Sequence, residues 1–146
     1  MRVSVIGGSS VSDETYDQAV EVGRLLAEHG HTILCGGLTG VMRGVCEGAN
    51  DAGGRSIGIL PGENHDAANA YVDIPIATGL GHARNALVVL NGEAVIAIDG
   101  EAGTLSELGL AGVYGKPVAS LGSHDVLDVR QVETPKEAVE YVESTR

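Results

Sequence analysis

Arg84 and Glu107 are the two side chains of this sequence best suited to act on a small molecule. Arginine presents a planar fork of donors that matches a phosphate or a carboxylate. A glutamate in the first turns of a helix offers a base, or an acceptor for a ribose hydroxyl or an amine. The plain alternative is that the two pair with each other across adjacent helix ends, because structural ion pairs are common. Around them the sequence sets five glycine-bearing stretches: Gly7-Gly8-Ser9-Ser10, Gly36-Gly37-Leu38-Thr39-Gly40, Pro61-Gly62-Glu63-Asn64-His65, residues 78–85 and residues 99–107. Glycine loops that lead into helix N-termini offer free backbone N–H groups and the positive end of the helix dipole, which favour an anion. Turn-making alone accounts for about half of this glycine, since strand-to-helix loops often need left-handed residues.

Other chemistries are excluded by what is missing. No G-x-G-x-x-G follows the first apolar run, and no G-x-x-x-x-G-K-[ST] occurs, which argues against a dinucleotide dehydrogenase and a P-loop. There is no G-x-S-x-G nucleophile elbow. The five histidines (29, 31, 65, 82 and 124) show no metal-ligand spacing, so no metal site is predicted. His29 and His31 flank a turn glycine and are expected at the surface. A pyridoxal enzyme needs a lysine at the site; Lys116 enters a strand at the opposite end and Lys136 starts the last helix.

The elements that must position these residues follow from glycine punctuation. Gly30, Gly53, Gly92 and Gly115 each stand between a helical pattern and an apolar run, where a left-handed residue ends a helix. Gly30 to Gly53 and Gly92 to Gly115 are both 23 residues, the length of one short strand, a loop and a helix. Short apolar runs at 3–6, 32–35, 56–60, 94–98 and 117–121 suit strands covered on both faces. Further strands are expected near 72–76 and 129–132. Ser12 caps a first helix over about 13–29, with Tyr16, Ala19, Val20, Gly23, Leu26 and Ala27 on its apolar stripe. Thr134-Pro135-Lys136-Glu137 reads as a capping box opening the last helix. The predicted fold is a Rossmann-like, doubly wound α/β domain over 1–146. Its mainly parallel sheet has about six to seven strands with helices on both faces, and the first strand lies beside the topological switch point. In such a sheet the five loops converge on the carboxyl-end rim.

Composition narrows the partners. The chain has 146 residues, 43% of them hydrophobic and 20% charged, enough for one core without metal or disulfide support. Its net charge of −11 repels phosphate backbones, and 3% aromatic content leaves few base-stacking platforms, so no nucleic-acid partner is expected. No run reaches the length of a membrane helix and no signal peptide precedes the first strand, so a cytoplasmic protein is expected. The acidic, lysine-poor balance points to a high-salt habitat. Cys35 and Cys46 read as two free packing residues. Helices near 81–90 and 104–114 are poor in charge, and a homodimer or larger homo-oligomer is expected from them.

The loops in order resemble the LOG-like family of Rossmann-like proteins, which includes cytokinin-activating phosphoribohydrolases and molybdenum cofactor carriers. Gly8-Ser9-Ser10 is similar to the family's first loop, and Gly36-Gly37-Leu38-Thr39-Gly40-Val41-Met42 to its second, followed by Gly-Ile-Leu-Pro at 58–61. Residues 99–107 are similar to P-G-G-x-G-T-x-x-E. The resemblance implies that Gly103 and Thr104 bind a phosphate and that Arg84 and Glu107 act on an N-glycosidic bond. The departures are Asn85 where the hydrolases carry Lys, Asp99 for their Pro, and Glu101 for their second Gly. The Arg84-Asn85 pair and the shorter length look closer to the single-domain, carrier-like branch.

The expected function is binding of a phosphate-containing small molecule at the carboxyl-end rim. The ligand-binding residues would be Gly8, Ser9, Ser10, Gly36, Gly37, Thr39, Gly100, Gly103 and Thr104. No cofactor is required; a nucleotide or the molybdenum cofactor is the expected ligand. One alternative is a nucleoside 5′-monophosphate phosphoribohydrolase with Arg84 and Glu107 catalytic, and not a pyridoxal decarboxylase. The other is an oligomeric regulatory protein with a relict site.

Overall fold

Runs such as Ala94-Val95-Ile96-Ala97-Ile98 carry no polar face, so they must be covered on both sides. A computed structural model describing residues 1–146 places them in the middle of one parallel sheet. Its strands are β1 (Arg2–Gly7), β2 (Thr32–Cys35), β3 (Arg55–Leu60), β4 (Ile74–Ala77), β5 (Ala94–Ile98), β6 (Val118–Leu121) and β7 (Arg130–Val132). The helices are α1 (Asp13–Glu28), α2 (Val41–Asp51), α3 (Asn85–Asn91), α4 (Ala102–Val113) and α5 (Pro135–Ser144), with 3-10 turns at His65–Ala67 and Gly81–Arg84. The strand order is β4-β3-β2-β1-β5-β6-β7, with every neighbouring pair parallel. The chain winds outward from β1 to β4, returns to β5 on the other side of β1, and winds outward again. The switch point is therefore the β1–β5 seam, where Val3 to Gly7 register against Ala94 to Ile98.

Alternation along each central strand divides the core in two. Val3, Val5, Ile33, Cys35, Ala94, Ile96 and Ile98 face α1, α2 and α5. Ile6, Leu34, Val95 and Ala97 face α3 and α4. Capping follows the expected chemistry: the Ser12 side chain accepts from Thr15 N–H, and the Thr134 side chain from Glu137 N–H. Glu137 reaches back to Glu133 N–H at 2.8 Å, one residue before the cap. The buried side of α1 is Ala19, Val22, Gly23 and Leu26, so the stripe is rotated from the expected one and includes Val22. Strand β4 lies two residues later than its predicted start.

Two expectations are corrected. Gly92 is not a left-handed helix end; its φ is −87° and its ψ 150°. It is glycine because a Cβ there would collide with the Ser4 side chain, whose hydroxyl donates to Val88 O at 2.6 Å. His31 is not on the surface but 4% exposed, because the strand that follows Gly30 draws it beneath α5. The two cysteines are free and buried, with their sulfurs 3.6 Å apart. No helix is long and apolar enough to cross a membrane.

Candidate functional site

The first and fifth strands end side by side at Gly7 and Ile98, and the chain leaves them in opposite directions around the sheet. That divergence opens a pocket of about 510 Å³ to which all five loops contribute. Gly8, Ser9 and Ser10 form one wall, and Gly100 through Thr104 the other. Gly36, Arg84 and Glu107 also line it.

The anion-binding capacity lies at the start of α4. Glu101 is its N-cap residue, and its side chain makes no capping bond. The first amide with a backbone acceptor is that of Leu105, donating to Glu101 O at 3.0 Å. The N–H groups of Ala102, Gly103 and Thr104 have no partner in the protein. Three unsatisfied donors at the positive end of a twelve-residue helix, opening into a pocket, suit a phosphate or carboxylate. Nothing stands within 4 Å of a Cβ at Gly103 but the Asn85 amide nitrogen, so the approach is open.

The opposing loops are laced together. Val41 N–H donates to Gly8 O at 2.9 Å, and the Thr39 hydroxyl to Ser9 O at 2.9 Å. The crossing is so close that a Cβ on Gly40, at φ 64°, would strike Gly8 O. Thr39 and Gly37 therefore shape the wall from behind: neither lines the pocket, and Gly37 packs on Leu60 and Gly58. Among the nine predicted ligand-binding residues, the structure brings the other seven to the pocket.

Arg84 and Glu107 both border the pocket, and they do not form a salt bridge. Arg84 is 8% exposed and spends its fork on the protein. Its Nε donates to Ile59 O at 2.9 Å, Nη2 to Gly36 O at 3.4 Å, and Nη1 to Asn85 Oδ1. It stands under the floor as a fixed positive charge, and a Cβ on Gly36 would displace it. Burial lowers its pKa, with the Glu107 charge opposing. Glu107 is 9% exposed and has no hydrogen-bond partner in the protein. Burial pushes its carboxyl up to about 7, and the positive charge of Arg84 only partly offsets this. A carboxyl poised near neutrality beside an anion cradle is able to give or take a proton.

Sequence reasoning missed some of the wall. His82, Asn85, Pro61 and Met42 also line the pocket. Asn85 follows Arg84 directly, and its signal was the position itself. Glu101 and Asp99 are pocket residues too, with Asp99 at φ 52°. The β6–β7 loop props this wall from outside: Ser123 Oγ donates to Asp99 O at 2.7 Å, and His124 Nε2 lies 3.1 Å from Glu101 O.

A parallel sheet with an uncapped helix end facing a pocket at its switch point defines a Rossmann-like ligand-binding domain. The chain belongs to the SLOG cluster4 family, whose profile matches residues 1–146. The LOG-like resemblance drawn from the loops therefore holds. The fold is similar to that of the molybdenum cofactor binding protein from Rippkaea orientalis, at 36% identity and a TM-score of 0.92, covering 99% of this chain and 96% of that one. It is similar to the Moco carrier protein from Chlamydomonas reinhardtii, at 33% identity and a TM-score of 0.88, covering 98% and 95%. In sequence it is 32% identical over 140 residues to a probable cytokinin riboside 5′-monophosphate phosphoribohydrolase of Oryza sativa subsp. japonica, spanning 86% of this chain and 62% of the rice protein.

Proposed function

We propose that the protein binds a phosphate-bearing small molecule, a nucleotide or nucleotide-like cofactor, with its phosphate on the start of α4. The observation that carries this is the trio of unpartnered N–H groups at Ala102, Gly103 and Thr104, opening into a pocket of about 510 Å³. Ser9 and Ser10 stand opposite as hydroxyl donors, and Arg84 supplies positive charge from beneath. The relatives that bind or carry the molybdenum cofactor favour that cofactor as cargo. The pocket suits such a molecule in size and in its phosphate end; the protein's role is to hold and shield it, with no cofactor of its own.

A second reading is N-glycosidic hydrolysis of a nucleoside 5′-monophosphate. It is supported by Glu107, whose carboxyl near 7 could protonate a leaving base or steady charge on the ribose, and by the rice relative. One experiment separates the two. The purified protein is titrated calorimetrically with nucleoside monophosphates and with isolated molybdenum cofactor, and each nucleotide mixture is then chromatographed for free base. Saturable binding without release supports the carrier; release supports the hydrolase. Absence of binding by every phosphate-bearing ligand overturns both. A homo-oligomer accompanies this proposal, supported by exposed Leu80, Leu90, Leu105, Val113 and Tyr114 on and around α3 and α4. A monomer mass by light scattering would remove it.

A further inference from the structure

At the amino-terminal edge of the sheet, opposite the pocket, the fold gathers three metal-ligating side chains that the sequence keeps far apart. His29 and His31 lie on the turn from α1 into β2, and Glu143 lies in the last turn of α5. His29 Nδ1 is 2.7 Å from Glu143 Oε1, and His31 Nε2 is 2.8 Å from the same oxygen. The three donor atoms all lie within 4.8 Å of one another. Burial is graded across the cluster: the His31 side chain is 2% exposed, Glu143 29% and His29 42%. One ligand is thus locked in the protein, and the side facing solvent is open.

We propose that His29, His31 and Glu143 form a binding site for a divalent transition metal of the zinc class, with water in the fourth position. Two imidazole nitrogens and one carboxylate oxygen are the donor set that zinc takes when a coordination position stays open. Bonds of about 2.0–2.1 Å in tetrahedral geometry set ligand atoms about 3.3 Å apart. The observed pairs at 2.7 and 2.8 Å need to separate by about half an ångström, and the two ring nitrogens, within 4.8 Å of each other, need to settle at the same spacing. Nitrogen donors also disfavour calcium and magnesium, which require oxygen. The buried ring is held from behind, with the Met1 nitrogen 3.2 Å from His31 Nδ1.

The site would act as a clamp. It ties the start of β2 to the C-terminal end of α5, closing more than a hundred residues of intervening chain. It lies away from the pocket, so it is independent of what the pocket binds. The competing account is an ion pair that never takes a metal.

The test uses the full chain, stripped with chelator and titrated with Zn²⁺ by calorimetry and with Co²⁺ by visible absorption. The expected result is one equivalent bound, tetrahedral Co²⁺ bands, and a melting temperature that rises with metal concentration. His29→Ala removes an exposed ligand that the fold does not need, and should weaken binding at least about tenfold and abolish the bands. Glu143→Gln should do the same, with the melting temperature of the metal-free variant recorded to separate lost ligation from lost folding. His65→Ala, at a remote exposed histidine, should leave metal binding unchanged. Sub-stoichiometric binding, or one-to-one binding that survives His29→Ala, overturns the proposal.

Discussion

Replacing Glu107 by glutamine keeps the shape of the site and removes one titrating charge, so it isolates what burial does there. Burial holds this carboxyl near 7 against an ordinary value of 4.5. At about 1.4 kcal/mol for each unit, the ionised form costs the folded state about 3 kcal/mol above neutrality. The folded protein binds this proton more tightly than the unfolded chain does. Stability therefore falls as pH rises from 4.5 to about 7, and the loss is complete above that. Glutamine carries no such dependence. Linkage puts the relief at about 1 kcal/mol at pH 5 and about 3 kcal/mol at pH 8. Any packing or hydrogen-bond difference between the two side chains is common to both conditions, so the informative quantity is the gap of about 2 kcal/mol between them. Urea unfolding of parent and Glu107→Gln at the two pH values measures it. An equal difference at both would show that Glu107 ionises as an ordinary carboxylate, and the acid role argued for it would fall. The same variant bears on function, since a group retained at a cost in stability points to a use. If the parent releases base from a nucleotide, the variant should lose about 100-fold in rate with little change in nucleotide affinity. If the parent only binds, affinity alone should change.

Three further outcomes are expected. Glu101→Gly should tighten the binding of phosphate or a nucleoside monophosphate about threefold to tenfold at low ionic strength, with the gain vanishing in high salt, because an exposed rim charge is screened; unchanged affinity at low salt would show that its carboxylate points away. Asp99→Pro should lower unfolding free energy by about 2–4 kcal/mol, since proline cannot adopt φ 52° and lacks the N–H that Asp99 gives Leu121 O; a stable variant with intact anion binding would refute this reading of the loop. Ser120→Ala should be neutral or stabilise by up to about 1 kcal/mol in denaturant titration, because Ser120 Oγ is buried with no hydrogen-bond partner; a clear loss would mean the hydroxyl has a partner.

The sheet could be read from sequence because glycine and apolar runs act locally. Gly30, Gly53 and Gly115 each have positive φ at a helix end, so the punctuation followed from backbone sterics alone. Gly92 broke the rule because its reason is tertiary: Ser4, 88 residues earlier, occupies the space its Cβ would need. The rim loops were legible for the same local reason, since an uncapped glycine-rich turn before a helix is an anion cradle wherever it lies. What Arg84 does was not legible. Its donors are taken by Ile59 O and Gly36 O, contacts that exist only once β2 and β3 lie side by side. The His29, His31 and Glu143 cluster was hidden likewise, because metal-ligand spacing looks for neighbours in sequence and Glu143 comes 112 residues after His31.

The departures at 99 and 101 then have a physical meaning that the motif alone does not give. A proline at 99 would fix φ near −65°, whereas Asp99 turns the chain through φ 52° before Gly100 continues at φ 106°. The loop therefore follows a path that the hydrolase pattern cannot follow with its own residue. Ser123 fixes that path from outside through Asp99 O, and His124 meets Glu101 O one turn further on. The α4 N–H groups remain free through all of this, and so does Glu107 below them. The changes fall on the rim that shapes and charges the entrance, while the donors that hold an anion are kept. That division fits the carrier reading proposed above: the grip is kept and the mouth differs. A hydrolase would need the mouth as well, because its substrate must be turned so that the glycosidic bond, and not only the phosphate, meets Glu107.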